Sequence, residues 1–485
     1  MLLEDLFEKR ERGQWVLLKT LINHTDDLAL KDAMVQTDLS KVTLLKYVED
    51  LNELTESIDF PLSIHLVNER LVLNLGHHVT KQDILQLFLP YSLKYQILTY
   101  LFKVEEYTVQ KLSQELLISE ATFHRQLVSL NLLLGEFDLV IRSGRIRGAE
   151  HQIRYFYFTL FWLAESRAEL AKLAQSQQIQ QIIHSFHQYW GNETLANNEA
   201  KFGLWMRITR QRMSVKKKNF EPLKELMKPY HSHRFYQQVR QNTLLFLSRY
   251  ALESEEEEAM CQFMFLTTMS ILPPYAMERS LGYGGPVSEA TTTGLQYIRS
   301  TVSRQENLNE QGMYTLNQVL GQLYFYKGLI LERSFDYNLD LSLIKNGMNL
   351  ENADLATPLI DDVIENIYHY QKSELGDVYK KAQWTLTEVL SYVVYQTPKT
   401  VIIGLDIIGD ETEKLPILSV MRQRLEVNRL VIVELYKNKK RFDLIVSNVY
   451  DRKYSEPYYF LKGLPNHFDI RQLDAIIHEL LYEVN

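Results

Sequence analysis

The sequence predicts a mostly α-helical protein with several domains, and three observations support this class. One pattern of two short helices joined by a turn occurs twice, at 28–54 and at 108–133. From about 152 to 395, apolar residues recur at helical spacing almost throughout. After Thr397–Pro398, strand-like runs alternate with helical ones, as in a small α/β domain. The predicted class is therefore mostly α and multidomain, with two winged helix-turn-helix modules, two all-α helical bundles and a small C-terminal α/β domain.

Length, charge and cysteine content limit the classes to which the chain can belong. Its 485 residues suffice for several domains, because single cores rarely exceed about 250–300 residues. The net charge of −8 means that DNA binding would require locally concentrated basic residues. Cys261 is the only cysteine, which excludes an internal disulfide and suits a reducing cytosol. Without a signal-peptide pattern or an apolar run of roughly 20 residues, we expect a cytoplasmic protein with no membrane partner.

The repeated pattern is preserved position by position, at a spacing of 79 residues. Ser40 in the first copy and Ser119 in the second precede the second helix, where a hydroxyl can cap free backbone N–H groups. The apolar positions predicted to face the core are Ala33, Leu39, Leu44, Val48 and Leu51 in the first copy and Leu112, Ile118, Phe123, Leu127 and Leu130 in the second. This layout is that of a helix-turn-helix, whose second helix fits the major groove of DNA.

A predicted hairpin follows each copy and completes a winged helix-turn-helix. Residues 58–75 contain two alternating apolar runs around a polar turn, and 137–148 contain two around Ser143–Gly144. We assign the two modules to residues 1–80 and 81–160.

Polar and basic side chains on the second helices and on the second wing are the candidate DNA contacts. Lysine and arginine can bind phosphates or guanine, and glutamine can bind adenine. Arg125 and Gln126 make the second module the stronger predicted reader of sequence. The predicted contacts are Ser40, Lys41, Thr43, Lys46 and Tyr47 in the first module, and Ser119, Thr122, His124, Arg125, Gln126, Arg142, Arg145 and Arg147 in the second. Double-stranded DNA is the predicted partner. The acidic net charge and the long helical middle favour the alternative, a non-enzymatic adaptor or scaffold without DNA binding.

The helical middle is predicted to hold two all-α bundles, at 165–285 and 286–395, separated by breaks near 272–286. Two charged runs, VKKKNF (215–220) and ESEEEEAM (253–260), are predicted to be solvent-exposed. Histidines are candidate phosphoacceptors, because neutral imidazole is nucleophilic near pH 7. They are His184, His187, His231, His233 and His369. No metal cluster, cofactor site, nucleotide-binding glycine loop or hydrolase triad stands out, so the chain is not predicted to be an enzyme.

The last segment, 398–485, is predicted to be an α/β domain. The apolar run KTVIIGLDIIG (399–409) and the runs RLVIVELY and RFDLIVSNVY indicate strands. LPILSVMRQRLE and DIRQLDAIIHELLYEV indicate helices.

These parts, in this order, resemble the Mga/AtxA group of transcription regulators over essentially the whole chain. The resemblance rests on the two repeats, on FGLWMRITRQRM (202–213), ESEEEEAMCQFMFLTTM and LNQVLGQLYFYKGLI (316–330), and on KTVIIGLDIIGDE, RLVIVELY and RFDLIVSNVY. It implies that two DNA-binding modules precede two phosphotransferase-system regulation domains, at 165–285 and 286–395. It also implies that 398–485 is similar to the EIIB subunit of a sugar permease.

The resemblance further implies how the protein is regulated. It implies a cytosolic homodimer or higher homo-oligomer, an activator of the global or virulence type. Its regulatory histidines would accept phosphate from carrier proteins of the sugar phosphotransferase system. A working EIIB subunit has a phosphocysteine just after its first strand, where this sequence reads GLDIIGDET (404–412). Because no cysteine is present there, we expect this domain to act in dimerisation or sensing and not in phosphotransfer.

Overall fold

Helices dominate the structure, which confirms the mostly α, multidomain class. The structure, a computed structural model, describes residues 1–24, 27–190, 196–249, 255–274, 284–301, 310–328, 356–369, 379, 383, 386–387, 400–426, 430–437, 440–449, 454 and 456–482. The chain divides into two compact units. The first unit comprises Met1–Val287, Leu320–Phe335 and Ser373–Lys381, and the second comprises Ser288–Val319, Asp336–Lys372 and Ala382–Asn485.

The first module is a three-helix core that carries an antiparallel wing. Its elements are α1 (Lys9–Asn23), β1 (Leu28–Ala29), α2 (Leu30–Thr37), α3 (Lys41–Ser57), β2 (Leu62–Val67) and β3 (Arg70–Leu75). The strand order is β1-β3-β2, with Leu62 opposite Leu75 and Val67 opposite Arg70. Trp15 of α1 and Leu44 of α3 are buried in the core. The two helices of the motif, α2 and α3, and the two wing strands are as predicted. The additional strand β1 has only two residues, too few to produce an alternating pattern.

The second module repeats this design. Its elements are α4 (Lys81–Phe88), α5 (Leu93–Val104), α6 (Val109–Glu115), α7 (Glu120–Gly135), β4 (Val140–Arg142) and β5 (Arg145–Arg147). Phe123 of α7 is completely buried and packs edge-on against Tyr107, with the ring centroids 5.3 Å apart. The predicted hairpin at 137–148 is confirmed, because β4 and β5 pair antiparallel with Ile141 opposite Ile146.

Helices continue directly from the second wing. They are α8 (Glu150–Ala164), α9 (Arg167–Ala174), α10 (Gln177–Trp190), α11 (Ala196–Met213), α12 (Glu221–Met227), α13 (Arg234–Arg249), α14 (Glu256–Thr268), α15 (Pro286–Thr301), α16 (Glu310–Phe325) and α17 (Ala356–Asp362). Trp205 of α11 stacks on Phe265 of α14 at 4.5 Å, and Phe158 of α8 packs edge-on against the same ring. The assignment of two bundles that meet near residue 285 stays a prediction.

A network of buried charges joins α8, α11 and α14. The Arg154 guanidinium donates to both oxygens of Glu258, at 2.6 and 2.9 Å, and to Oε1 of Glu150 at 3.0 Å. Arg212 donates to both oxygens of Glu150, at 3.0 and 2.7 Å. All four side chains are at most 5% exposed. Burial alone would raise the pKa of Glu150 and of Glu258, but their arginine partners hold both pKa values below the ordinary value.

The prediction that the two charged runs are solvent-exposed is wrong at the positions that join this network. Glu258 ends the acidic run and is 2% exposed. Lys218 lies in the basic run, has a side chain 10% exposed, and contacts Glu258 at 3.4 Å and Glu255 at 3.1 Å. A charged run looks the same in the sequence whether it lies on a solvated face or pairs with distant residues in a buried network. Its local pattern therefore could not predict its burial.

The C-terminal segment is an α/β domain, as predicted. Its elements are β6 (Val401–Asp406), α18 (Glu411–Leu425), β7 (Val431–Leu435), β8 (Leu444–Ser447), β9 (Tyr458–Phe460) and α19 (His467–Tyr482). All paired strands are parallel, in the order β7-β6-β8-β9. Ile403, Val433 and Leu444 are completely buried at the centre of its core. The strand β9 was not predicted, because its three residues pair in parallel with β8 and no hairpin turn marks them, unlike the equally short β4 and β5.

Two further features bear on the sequence-based expectations. Among the described residues, no helix is both long enough and apolar enough to cross a membrane. Cys261 lies buried in α14, and burial raises the pKa of its thiol to about 12. The thiol is therefore not activated as a nucleophile at neutral pH.

We expect His151 to make the folded state sensitive to mild acid. It is buried in α8, where burial lowers the pKa of its imidazole from 6.5 to about 4. Between these values the unfolded chain binds a proton that the folded chain does not. His151 therefore does not lower the free energy of unfolding above pH 6.5, but lowers it by up to about 3 kcal/mol as the pH drops towards 4. Urea unfolding at several pH values measures this slope. His151→Gln should flatten it, and the same change at the exposed His65 should not.

Candidate nucleic-acid interface

The second helix of each module begins with the same hydroxyl cap. The Ser40 hydroxyl accepts from the Thr43 backbone N–H at 3.2 Å, and the Ser119 hydroxyl accepts from Thr122 at 3.1 Å. In each pair the two side-chain hydroxyls also bond to each other, at 2.9 and 3.0 Å. All four were predicted to contact DNA. In the structure they fix where α3 and α7 begin, and therefore which side chains occupy the first turn of each helix.

The turn before each of these helices has the same backbone. Asp38 and Leu117, 79 residues apart, have φ values of 54° and 55°. This left-handed conformation allows the chain to reverse between the two helices of the motif. The repeat seen in the sequence is thus a repeat of backbone conformation as well as of apolar positions.

An asparagine joins the second helix to the wing in both modules. The Asn52 amide donates to the Ile64 carbonyl and accepts from the Ile64 N–H, both at 2.8 Å. Asn131 bonds in the same way to Ile141, at 3.1 and 2.7 Å. Neither asparagine was predicted from the sequence, although the two also lie 79 residues apart. Each asparagine sets the position of a wing relative to the helix beside it.

The wing turns also contact the start of the motif. Both central residues have positive φ in Asn68–Glu69 and in Ser143–Gly144, as in a type I′ hairpin. The Glu69 carbonyl accepts from the Leu30 N–H at 2.9 Å, and the Gly144 carbonyl accepts from Tyr107 at 3.0 Å. A Cβ at Gly144 would lie 2.2 Å from the Tyr107 carbonyl oxygen, so glycine is required there. Each wing is therefore held at both its strand and its turn.

The three predicted wing arginines differ in their freedom to bind DNA. Arg145 donates to Glu106 at 2.5 Å and lies 3.9 Å from Glu105, and its pKa is raised mainly by the hydrogen bond to Glu106. Arg142 and Arg147 are exposed, and Arg147 donates to the Arg142 carbonyl at 3.3 Å. Arg145 thus holds the wing, while Arg142 and Arg147 present cations to solvent.

The outward face of α7 suits a nucleic acid. His124 and Arg125 are exposed, and Thr122 and Gln126 are partly exposed. The following exposed positions on this face are apolar, Val128 and Leu132, which are 64% and 76% exposed. Among the described residues of this helix, Glu120 is the only acid, so a phosphate backbone can approach α7 without strong repulsion.

The outward face of α3 is less suitable. Lys41 and Lys46 are exposed in its first turns, and Lys41 lies 3.7 Å from Glu69 of the wing. Glu49 and Glu53 are exposed further along the helix. Tyr47 was predicted to contact DNA, but its ring is partly buried against α1, where a Cβ at Gly13 would lie 2.6 Å from the ring. On α3, exposed cations therefore occur only near the beginning of the helix.

Arg154 lies close in sequence to the arginines of the second wing, but it is completely buried. It belongs to α8, whose first residue follows β5 after only Gly148 and Ala149. The second wing is thus joined by two residues to the buried charge network.

The predicted phosphoacceptor histidines occupy different environments. His184, His231 and His369 are exposed. His233 is 7% exposed and packs against the rings of Tyr230 and Phe263, with centroid distances of 6.1 and 6.0 Å. The side chain of His187, on α10, lies outside the described residues.

The loop after β6 lies within the cysteine-free stretch 404–412 and exposes an apolar residue. Ile408 is 68% exposed. Its backbone N–H donates to Oδ1 of Asn448 at 2.8 Å, and its carbonyl accepts from Nδ2 of Asn448 at 2.9 Å. No group of three or more histidine, cysteine, aspartate or glutamate side chains in the described part of the chain could hold a metal ion.

The helix-turn-helix with its wing, present twice, defines a winged helix-turn-helix protein. Residues 77–161 match the Mga helix-turn-helix domain. The match runs from just before α4 into α8, so it includes the second module and the first charged residues of the buried network. It confirms the resemblance to Mga-type regulators for this part of the chain and supports a DNA-binding regulator. No curated protein matched the chain.

We expect Asn131→Ala to loosen the second wing. The change leaves the buried N–H and carbonyl of Ile141 without their partners, which typically costs about 1–3 kcal/mol. Amide hydrogen exchange at Ile141 should accelerate, while exchange in α14 stays unchanged. Asn131→Asp, which keeps the acceptor, should have a smaller effect. Equal exchange rates in the wild type and Asn131→Ala would mean that the hairpin alone fixes the wing.

Proposed function

We propose that the protein is a DNA-binding transcription regulator in which the second module is the principal reader of sequence. The observation that carries this proposal is the outward face of α7, which is capped by Ser119, exposes Arg125 and has one acid, Glu120, within the helix. The first module, with Lys41 and Lys46 at the start of α3, adds a second contact along the same duplex. The Mga domain match at 77–161 supports the same assignment.

The net charge predicts how this binding responds to salt. Because the protein carries a charge of −8, non-specific affinity should be weak, and specific affinity should come from a few local cations. Fluorescence anisotropy with promoter fragments, between about 50 mM and 200 mM salt, tests the proposal. Absence of binding at about 50 mM salt, where phosphate contacts are strongest, would contradict it and favour the adaptor or scaffold.

The wing arginines provide a sharper form of this test. Replacing the exposed Arg142 and Arg147 with alanine should lower the salt slope by about one for each phosphate that these side chains neutralise. Arg145→Ala should instead weaken binding by loosening the wing from Glu106, which hydrogen exchange in β5 would report. If neither Arg142→Ala nor Arg147→Ala changes the salt slope, these wing arginines do not contact phosphate.

We also propose that phosphotransferase-system carrier proteins regulate the protein through its helical domains. Of the predicted phosphoacceptors, the exposed His184, His231 and His369 are accessible to a carrier, whereas the buried His233 is not. Phosphate adds about −1.5 to −2 charges and can change helix packing or oligomeric state. Labelling with the purified carrier and phosphoenolpyruvate, followed by sizing, tests this. Label on none of the three exposed histidines would exclude them as acceptors.

We further propose that the protein acts in the cytoplasm, as a homodimer or higher homo-oligomer and an activator of the Mga type. The C-terminal domain would take part in assembly or sensing, because the stretch 404–412, where phosphotransfer would need a cysteine, contains none. Phosphate transfer to this domain from a sugar-system donor would contradict that assignment.

A further inference from the structure

Each helix that would enter the groove exposes an apolar side chain in its first turn. Val42 of α3 is 79% exposed, and Ala121 of α7, at the same place in the repeat, is exposed as well. Four residues later each helix has an exposed cation, Lys46 or Arg125. Residues four apart are neighbours on one face of a helix, so an apolar side chain and a cation lie side by side in both modules.

The exposure of Val42 does not reflect a lack of core. Leu44 and Val48 of the same helix are 0% and 7% exposed, and they already provide the face that packs inward. A single exposed valine is ordinary on a protein surface. Here, however, an apolar residue recurs at the same position of both repeats, beside a cation and within the turn that the serine cap positions.

We propose that Val42 and Ala121 contact thymine methyl groups, so that each module reads a thymine beside the base or phosphate bound by Lys46 or Arg125. The thymine C5-methyl is the apolar group of the major groove, and short apolar side chains are suited to contact it. The adjacent cation is complementary to the negative charge of the duplex. The inference rests on the proposed DNA-binding function.

On α3 the surroundings confine this contact to the beginning of the helix. On α3 the next exposed positions are Glu49 and Glu53, which would repel a phosphate backbone. The N-terminal residues of such a helix are also those that reach base edges. Val42 and Ala121 therefore occupy the part of each helix where a base contact is possible.

Replacing thymine with uracil tests the proposal, because only the methyl group is removed. The probe is a duplex that the protein selects from a random library, synthesised with thymidine or with deoxyuridine. We expect uracil to weaken binding by about fourfold for each contacted methyl, the change that corresponds to one buried methyl-sized group. Val42→Ser together with Ala121→Ser should bring the ratio of the two affinities close to one. Val35→Ser, at an 82% exposed valine on α2, is the matched control and should preserve the wild-type ratio.

The possible outcomes separate this proposal from the proposed function. If the wild type binds the selected duplex and its uracil form equally well, the thymine contact is refuted while DNA binding stands. A preference for thymine that persists in the double variant also refutes the contact. If the library yields no bound duplex, the proposed function fails, and the thymine contact fails with it.

Discussion

Glu258→Ala should lower the free energy of unfolding of the first unit by about 3–5 kcal/mol. The substitution leaves the buried Arg154 without the carboxylate that it contacts through two hydrogen bonds. Glu150 accepts from both Arg154 and Arg212, so without Glu258 two buried guanidinium groups would share one carboxylate. Urea unfolding, followed by tryptophan fluorescence, would measure the change. Trp205 reports on the same region, since it stacks on Phe265 of α14.

A surface ion pair provides the control for this experiment. Lys228 and Glu225 lie 2.5 Å apart but are both about two-thirds exposed, so Glu225→Ala should change stability little. Glu258→Gln should have an intermediate effect, because it keeps the shape but not the charge. If Glu225→Ala and Glu258→Ala lower the free energy of unfolding equally, the buried network contributes no more to stability than an exposed pair.

Arg125→Ala should weaken binding to the preferred sequence by about ten- to a hundredfold, the effect expected for a bidentate arginine–guanine contact. The effect should concentrate on one base pair, because a base contact carries sequence information and a phosphate contact does not. Lys46→Ala should have a smaller effect, since the acids that follow Lys46 on α3 limit how closely this helix can approach. Binding measured against every single-base variant of the selected duplex would show both effects.

Two results would change this assignment. Arg210 is an exposed arginine on α11, outside both modules in the sequence, so Arg210→Ala should leave affinity unchanged. If it weakens binding as much as Arg125→Ala, both effects reflect net charge and not base contact. If Lys46→Ala has the larger effect, the first module is the principal reader.

The sequence predicted the modules well, because their signals are local. The serine at the start of each second helix, the apolar spacing behind it and the turn residues of the wings all act within a few residues. The asparagines that hold the wings also recur at the 79-residue spacing, but a lone polar residue on a helix does not indicate its partner. Only the structure shows that Asn52 bonds to the backbone of Ile64, and Asn131 to the backbone of Ile141.

Long-range charge pairing could not be predicted in the same way. Glu258 and Arg154 are separated by about a hundred residues, and nothing in either local pattern distinguishes a buried ion pair from a solvated one. Arg145 illustrates the same limit, since its neighbours in sequence suggested a DNA contact while Glu106, across the module, holds it in place. The helices and central strands of the C-terminal domain were predictable because their apolar runs are long. The short strands β1 and β9, which no hairpin turn marks, were not.

The two-residue connection between the second wing and α8 has a thermodynamic consequence. Gly148 and Ala149 give β5 little freedom to move independently of Glu150, which is fixed by Arg154 and Arg212. A molecule that binds the first unit and shifts α8 must therefore also shift the wing. By linkage, if that molecule changes the affinity for DNA by some factor, DNA changes the affinity for that molecule by the same factor. Occupancy of a promoter and occupancy of an effector would then be two measurements of one coupling free energy.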